Sequence, residues 1–506
     1  MNDPALIRAG KSRWLPMVLL ACALVVQPAH GAGWSLILQQ GELGLALPDI
    51  HVGDWSVTGI HADVVNSIEA SPQAVVVQFK PGSRIRADRI VHEASGVPTQ
   101  LNNVRLDLAG VSLTLNLRGT GSLADRSTVA GNVIIDVDEL RQPQLNTQGW
   151  RFEGRVAGAL TDLNVEGLLR ANSGLVAEIV VRSVAEEFLA ARITLNLAGK
   201  PGSRALADTL AAWPELLDLN AGEVKADASL RIEPGAPLAL EGLFDFAGVD
   251  GLIDRTAVTD LSGRLLASLE DGALTARFRD VTIGQINSGI GIGPIRFLAD
   301  YRARQADPFA GVLDIQQASA SFLGGRLRVA PGAIDLAAEP WELPVDVYEV
   351  SLARLLQVYP AEGFSGTGEL TGRVPVIVSA GGIAVEQGRV AAVAPGGLLQ
   401  LPADRLQAML GRSQAMEQVV QALQNFHYSV LDSTIDYDNK GRLVLGLRLE
   451  GKNPEAGGGQ PVVLNINLEE DIPALLTSLQ LSGRVNEAVT ERVRERLQQS
   501  GQEAVP

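Results

Sequence analysis

Chemistry would draw first on the histidines, the cysteine and the clustered carboxylates. The five histidines are His30, His51, His61, His92 and His427, and none pair at metal-ligand spacing on a helix. His427 stands between Phe426 and Tyr428 and reads as a strand residue on a polar face. The stretch DYDNKGR (436–442) sets Asp436, Asp438 and Lys440 at alternate places, as a calcium loop sets its oxygens. The pattern fails at Lys440, and no glutamate stands at the closing position. A hairpin turn with Asn439 to Gly441 in the tight positions is the simpler reading. Glu186-Glu187 and Glu469-Glu470-Asp471 are placed at helix starts or in exposed segments, where capping explains them. General acid–base work needs a pocket and a raised pKa, and neither is visible. There is no Gly-x-Ser-x-Gly elbow, and GRSQAM and APGG lack the Gly-x-x-x-x-Gly-Lys-Ser/Thr pattern of a phosphate loop. The sequence predicts no enzyme, no metal and no cofactor.

What it supplies instead is apolar surface. Of 506 residues, 46 % are hydrophobic but only 4 % aromatic, so burial rests on Leu, Val, Ile and Ala among 53 glycines. That mix suits many short strands and tight turns. The formal charge of −16 excludes a nucleic-acid partner, because phosphate binding needs a basic footprint. It also argues against a broad contact with an anionic membrane. The single cysteine, Cys22, leaves the rest of the chain without an internal disulfide or a thiolate metal site.

Compartment is therefore read from the leader. Arg8, Lys11 and Arg13 precede the apolar run 14–26, and Pro28 and Ala29-His30-Gly31 follow. This is the layout of a secretory signal peptide, shorter than the roughly 20 residues that span a bilayer. A retained signal anchor and a lipoprotein cut before Cys22 are the alternatives. All three export the body, to the periplasm in a two-membrane bacterium. No later segment approaches a spanning length.

From about residue 34 to 400 the apolar period is two, the mark of strands with one greasy face. Val111, Leu113, Leu115 and Leu117 form one ladder, and Val133, Ile135 and Val137 another. Ile193, Leu195 and Leu197 follow, then Val224, Leu230 and Ile232, then Leu274 and Phe278, then Leu370, Val374 and Val376. Beyond them Leu443, Leu445, Leu447 and Leu449 alternate with mostly polar residues, as do Val462, Leu464, Ile466 and Leu468. Turn signals separate the ladders, which predicts an antiparallel meander. Helical patches are few: 205–219, 351–360, 403–426, 469–479 and a charged amphipathic tail at 484–499. A one-sided sheet must hide its apolar face. Between 100 and 340 there are too few helices to cover it. A sandwich, a barrel, a solenoid or a trough holding lipid would each serve.

Four stretches in order carry a resemblance: GGRLRV (324–329), residues 350–397, residues 422–455 and PVVLNINLEEDIPALLTSLQLS (461–482). Over 312–495 the chain resembles the C-terminal domain of the YdbH family, a branch of the AsmA-like envelope proteins. The N-terminal body is similar only in style. The resemblance implies a bridge-like lipid transfer protein whose elongated, curled β-groove conducts phospholipid between inner and outer membranes. It also implies a partner, a small outer-membrane lipoprotein of the YnbE type that extends the groove by adding strands. Relatives are typically longer and usually keep an N-terminal membrane helix. The shorter chain here would attach to the inner membrane through its leader or another anchor.

The expected fold class is mainly β: a long curled antiparallel sheet forming an open trough, with a few helices toward the C-terminus. The expected divisions are a leader over 1–32, a groove body over 33–311, a YdbH-like domain over 312–482 and a tail helix over 483–506. About 20–25 strands at ~4.8 Å would extend on the order of 100–120 Å. The central ladders are read as groove lining. The ladders of 443–449 and 462–468 fit a protein core equally well, since helical segments nearby are placed to cover them. The strand near 461–468 is the expected edge for strand addition by a partner. Two rivals stand beside this reading. An envelope scaffold would have an ordinary dry core, and a solute carrier would need several spanning segments where this chain has at most one.

Overall fold

The computed structural model describes residues 35–471, apart from 94–97, 212, 214–216, 235, 237–238, 254–255, 288–289, 359–364, 380–381, 404–413 and 457–458. The leader and the expected tail helix lie outside the described residues. Within them one antiparallel sheet gathers 31 strands, and three helices accompany it. The antiparallel strands expected from the alternating ladders, and the mainly-β trough that the resemblance implied, are the fold observed.

The main path through the sheet is a chain of hairpin-like neighbours. It starts at Leu36–Leu47 and runs through Ile60–Ala70, Arg84–His92, Thr99–Asp107, Ser127–Gln142, Leu145–Ala159, Asp162–Ala171 and Val176–Val184. It continues through Phe188–Ala198, Leu217–Ile232, Ala239–Ile253, Thr256–Glu270, Ala273–Ile283, Ile295–Arg304 and Asp307–Phe322. It ends through Gly325–Val329, Trp341–Ser351, Glu369–Ser379, Gly382–Ala392, Phe426–Tyr437, Arg442–Lys452 and Val462–Asp471. At ~4.8 Å per step this contour is roughly 100 Å. Shorter strands complete the rims.

Such a sheet needs means of bending. Register shifts recur along the path, among them those at 219–223, 246–251, 278–281, 347–350 and 385–388. Bulges add local twist and turn a strand. Gly222 shows why one of them needs glycine. Its φ is +94°, and a Cβ there would lie 2.5 Å from both the Gly248 carbonyl oxygen and the Val249 Cα. Elsewhere ordinary residues take the left-handed position, including Asp260, Asp280, Glu349 and Gln387, with φ of 52–53°.

The helices sit differently from the sequence expectation. In place of 205–219 the helix is Gly199–Thr209, and Leu217 and Leu219 pair in the sheet with Ile253 and Gly251. Cross-strand hydrogen bonds outweigh a local helical preference there. This helix rides the rim: Asn146 Nδ2 donates to the Asp208 and Leu210 carbonyls, and the Thr209 and Ser173 hydroxyls lie 2.7 Å apart. A second helix is Leu352–Val358, inside the expected 351–360. The third is Gln414–Leu423, within the expected 403–426, of which residues 404–413 lie outside the described residues; Phe426 is already in the following strand. Glu469, Glu470 and Asp471 do not open a helix. They pair with Val444, Leu443 and Arg442, and Arg442 Nε meets Glu469 Oε1 at 2.7 Å. Residues 472–479 of that expected helix lie outside the described residues.

Candidate functional site: a continuous apolar wall

One face of the sheet carries an unbroken apolar row. Each residue is the direct cross-strand partner of the next: Leu45, Ala62, Ile85, Leu106, Ile135, Phe152, Leu169, Ala177 and Leu195. The row goes on through Ala226, Phe244, Leu265, Phe278, Ala299 and Ile315. Directly paired residues share a face, so this is a physical stripe and not a pattern in sequence alone. Parallel stripes flank it, such as Leu197–Val224–Phe246 and Leu230–Leu240–Leu269–Leu274.

The wall is kept low where strands crowd. Gly154 and Gly167 face each other across two strands, and the Phe152 ring lies over both; a Cβ on either would come within 2.9 Å of that ring. Gly242 lies under Phe244, and Gly311 under Tyr301, in the same way. Aromatic rings folded over glycine give a smooth apolar surface at little depth.

The opposite face is charged and paired. Lys225, Asp245 and Arg264 are successive cross-strand partners, with Arg264 Nε 2.8 Å from Asp245 Oδ1. Arg151 meets Asp136 at 2.9 Å, and Arg105 meets Asp138 at 2.6 Å. The Arg182 guanidinium hydrogen-bonds Asp162 and holds that carboxyl below the usual carboxylate range. Burial pushes the Asp300 carboxyl up, but Arg279 at 2.5 Å outweighs it and leaves the group below its ordinary value. These pairs are largely exposed and add little stability singly. Their role is to fix which face meets water.

How much protein covers the apolar face changes along the chain. Val111, Val133 and Phe152 form a small buried cluster near the N-terminal end, with Ile135 packed against it. Val111 lies in the loop before Ser112–Asn116 and folds over Gly131. Leu113 and Leu115 share a face with Val77 and Val75; Leu117 lies just past the strand end and is exposed. Val137 pairs with Val104 and Trp150. In the central stretch Ile193 is 39 % exposed, and Leu195, Val224, Leu230, Leu274 and Phe278 are half-buried. Leu197 is buried beneath the rim helix, while Ile232 at the opposite rim is exposed. No buried cluster covers this stretch among the described residues.

The C-terminal ladders differ. Leu370 and Leu449 belong to the largest buried cluster, with Leu423 and Phe426 fully inaccessible at its centre. Val374, Val462, Leu464 and Ile466 pack against it. Val376, Leu443, Leu445, Leu447 and Leu468 are half-buried and keep the same register.

Sequence reasoning missed Phe152, Leu169, Phe244, Leu265, Ala299 and Ile315 on the wall. The signal was there as alternation, but Gly154, Gly167 and Gly242 occupy apolar-face positions and dilute it. No group of three or more His, Cys, Asp or Glu able to hold a metal occurs among the described residues. No helix among them is long and apolar enough to cross a membrane. The DYDNKGR stretch is a hairpin turn: Asp438 Oδ1 accepts from the Lys440 and Arg442 backbone N–H groups, both at 2.9 Å, which lowers its pKa. Glu186 and Glu187 occupy the exposed turn before Phe188–Ala198.

Residues 38–494 match the family described as YdbH-like, intermembrane phospholipid transport protein YdbH. The chain belongs to the YdbH-like family. The match extends well beyond the C-terminal stretches that carried the resemblance, and takes in the central wall. By its description, the YdbH-like family belongs to the envelope, between membranes. No curated protein and no solved structure matches the chain.

Proposed function

We propose that this YdbH-like protein carries phospholipid between the inner and outer membranes by sheltering acyl chains against its apolar wall. One observation carries the reading: a row of apolar residues, unbroken over fifteen strands, left half-exposed by the protein itself in its central stretch. An apolar face so rich in Leu, Ile and Phe, which no buried cluster of the described residues covers in its central stretch, is built to have something else cover it. Acyl chains gain ~0.8 kcal/mol for each CH₂ removed from water. That gain is non-directional, so a chain slides along a smooth wall without meeting a deep trap. The headgroup stays in water at the open slit. No catalytic step or cofactor is required.

The lining comprises the central ladders: Ile193, Leu195, Leu197, Val224, Leu230, Ile232, Leu274 and Phe278, with Phe244 and Leu265 added by the register. The edge strand Val462–Asp471 pairs on one side with Arg442–Lys452 and has no second strand among the described residues. It is the proposed docking edge for a small outer-membrane lipoprotein of the YnbE type. The leader is proposed to export the chain and, if retained, to attach it to the inner membrane.

Mass spectrometry of protein extracted without detergent tests this. Stoichiometric phospholipid supports the conduit. A folded, lipid-free protein would instead support an envelope scaffold, a reading favoured only by the helix-covered core at the C-terminal end.

A further inference from the structure

The contrast along the apolar face has a consequence for the lipid path. From Leu195 through Ala226, Phe244 and Leu265 to Phe278 the residues of the row are half-exposed, and Ala299 and Ile315 beyond them are buried. From Trp341–Ser351 onward the same face closes. Val347, Val350, Leu370, Val390, Leu431 and Leu449 are all below a tenth exposed. Leu352 from one helix and Val420 and Leu423 from another lie on top of them. Phe426 fills the centre. The cover is fastened by polar contacts: Asn453, itself buried, donates from Nδ2 to the Gln421 carbonyl at 2.7 Å, and the Leu401 N–H donates to the Leu423 carbonyl at 3.1 Å. Tyr428 Oη donates to the Thr367 carbonyl at 2.6 Å on the same side.

The N-terminal cluster is not comparable. Among the described residues no helix packs in it, and its buried members are wall residues with one rim loop folded in. The charged face has open space both in the central stretch, beside Arg182, Arg192 and Glu241, and at the C-terminal end. A cavity of about 890 Å³ there is lined by Arg373, Arg389, Arg448, Thr434, Asn465 and Asn467 among others. Acyl chains have no reason to occupy such a surface.

We infer that the acyl-chain track ends at the C-terminal module: the ladders of 443–449 and 462–468 are protein core, and phospholipid joins or leaves the wall sideways at the strands Ile295–Arg304 and Asp307–Phe322. This rests on the lipid-transfer reading above. The point of departure is marked by Phe309, the most exposed large hydrophobic residue described, at 89 %. Its neighbour Pro308 is held by the Tyr301 hydroxyl, which donates to the Pro308 carbonyl at 2.8 Å. Tyr301 is itself a wall residue, paired with Ala276 and Leu313. An apolar lip is thereby tied to the wall just before the core begins. In this arrangement the last strands present an edge to a partner while carrying no lipid of their own.

The test places a photo-crosslinking residue singly in the full chain, in cells, and reads phospholipid adducts by mass spectrometry. The positions are Ile193 and Leu265 on the wall, Leu447 and Ile466 in the module, and Asn196 on the polar face as background. Adducts are expected at the first two, with yields at Leu447 and Ile466 falling to the Asn196 level. Comparable yields at Leu447, Ile466 and Leu265 would overturn the boundary while leaving lipid transfer intact. Adducts nowhere would sink the transfer reading and the boundary with it. Because a bulky residue can disturb a core, a smaller change gives a second reading. Leu431→Cys is expected to react with a water-soluble thiol reagent at least tenfold more slowly than Ile193→Cys. Equal rates would mean that the module opens, and the boundary would fall.

Discussion

A charge at Leu195 tests the wall most directly. Leu195 sits mid-row between Ala177 and Ala226 and is half-buried, and the proposal has lipid complete its surroundings. In Leu195→Asp a passing acyl chain meets a carboxylate. Stripping that carboxylate of water costs several kcal/mol even after relaxation. The cheaper route leaves it hydrated and lifts about three methylenes off the wall, which costs roughly 2–3 kcal/mol at ~0.8 kcal/mol each. The lower barrier governs, so lipid flux should fall by about 30- to 140-fold, a factor of ten per ~1.4 kcal/mol. Folding should change little, because the side chain is partly solvated in the lipid-free protein. The control is Asn196→Asp, one residue away on the polar face beside Lys225, where a carboxylate gains a partner. The assay is transfer of labelled phospholipid between donor and acceptor vesicles by purified protein, with urea unfolding in parallel. Equal transfer by the two variants, both folded, would refute the argument that one face alone is the track.

The core of the C-terminal module should behave as a core: Phe426→Ala should cost about 3–5 kcal/mol in chemical denaturation. Leu265→Ala on the open wall should cost well under half of that. Gly222→Ala should destabilise by more than about 1 kcal/mol, since its positive φ and its approach to Val249 leave no room for a Cβ. The carboxyls of Asp162, Asp300 and Asp438 all lie below their ordinary values. Their contribution is present above about pH 4 and lost as pH falls through the lower folded values, so thermal stability should decline on the acid side. Asp162→Asn with Asp300→Asn should flatten that decline. A partner bound by strand addition should crosslink from Val463, on the exposed side of the last strand, and a partner found only elsewhere would remove the edge from consideration.

The alternation of Leu and Val with polar residues made the strands legible, because a strand with one wet face must repeat every second residue. The shortage of helices to cover the central ladders left a sandwich, a barrel, a solenoid or a trough open, and the family resemblance chose the trough. Three things were not legible. Leu217 and Leu219 fit a helix locally, and only their partners Ile253 and Gly251 place them in the sheet. The wall positions held by Gly154, Gly167 and Gly242 carry no side chain, so the alternation fades where Phe152 and Phe244 cover them. Bulges at Glu349 and Gln387 require left-handed backbone at residues with no preference for it, and nothing in the residue type announces them.

The last ambiguity was whether the leucines of 443–449 line a groove or fill a core. Alternation alone could not decide it, because both surroundings ask for the same residues on the same face. What separates them is the partner on the far side of the ladder. Leu449 shares a buried cluster with Phe426, Leu423 and Val420; among the described residues no buried cluster takes in Ile193 or Leu265. The difference is set by residues far away in sequence. A protein whose function lies in a continuous surface therefore spreads its signature across many ordinary strands. The informative positions are those where that surface is covered and those where it is left bare.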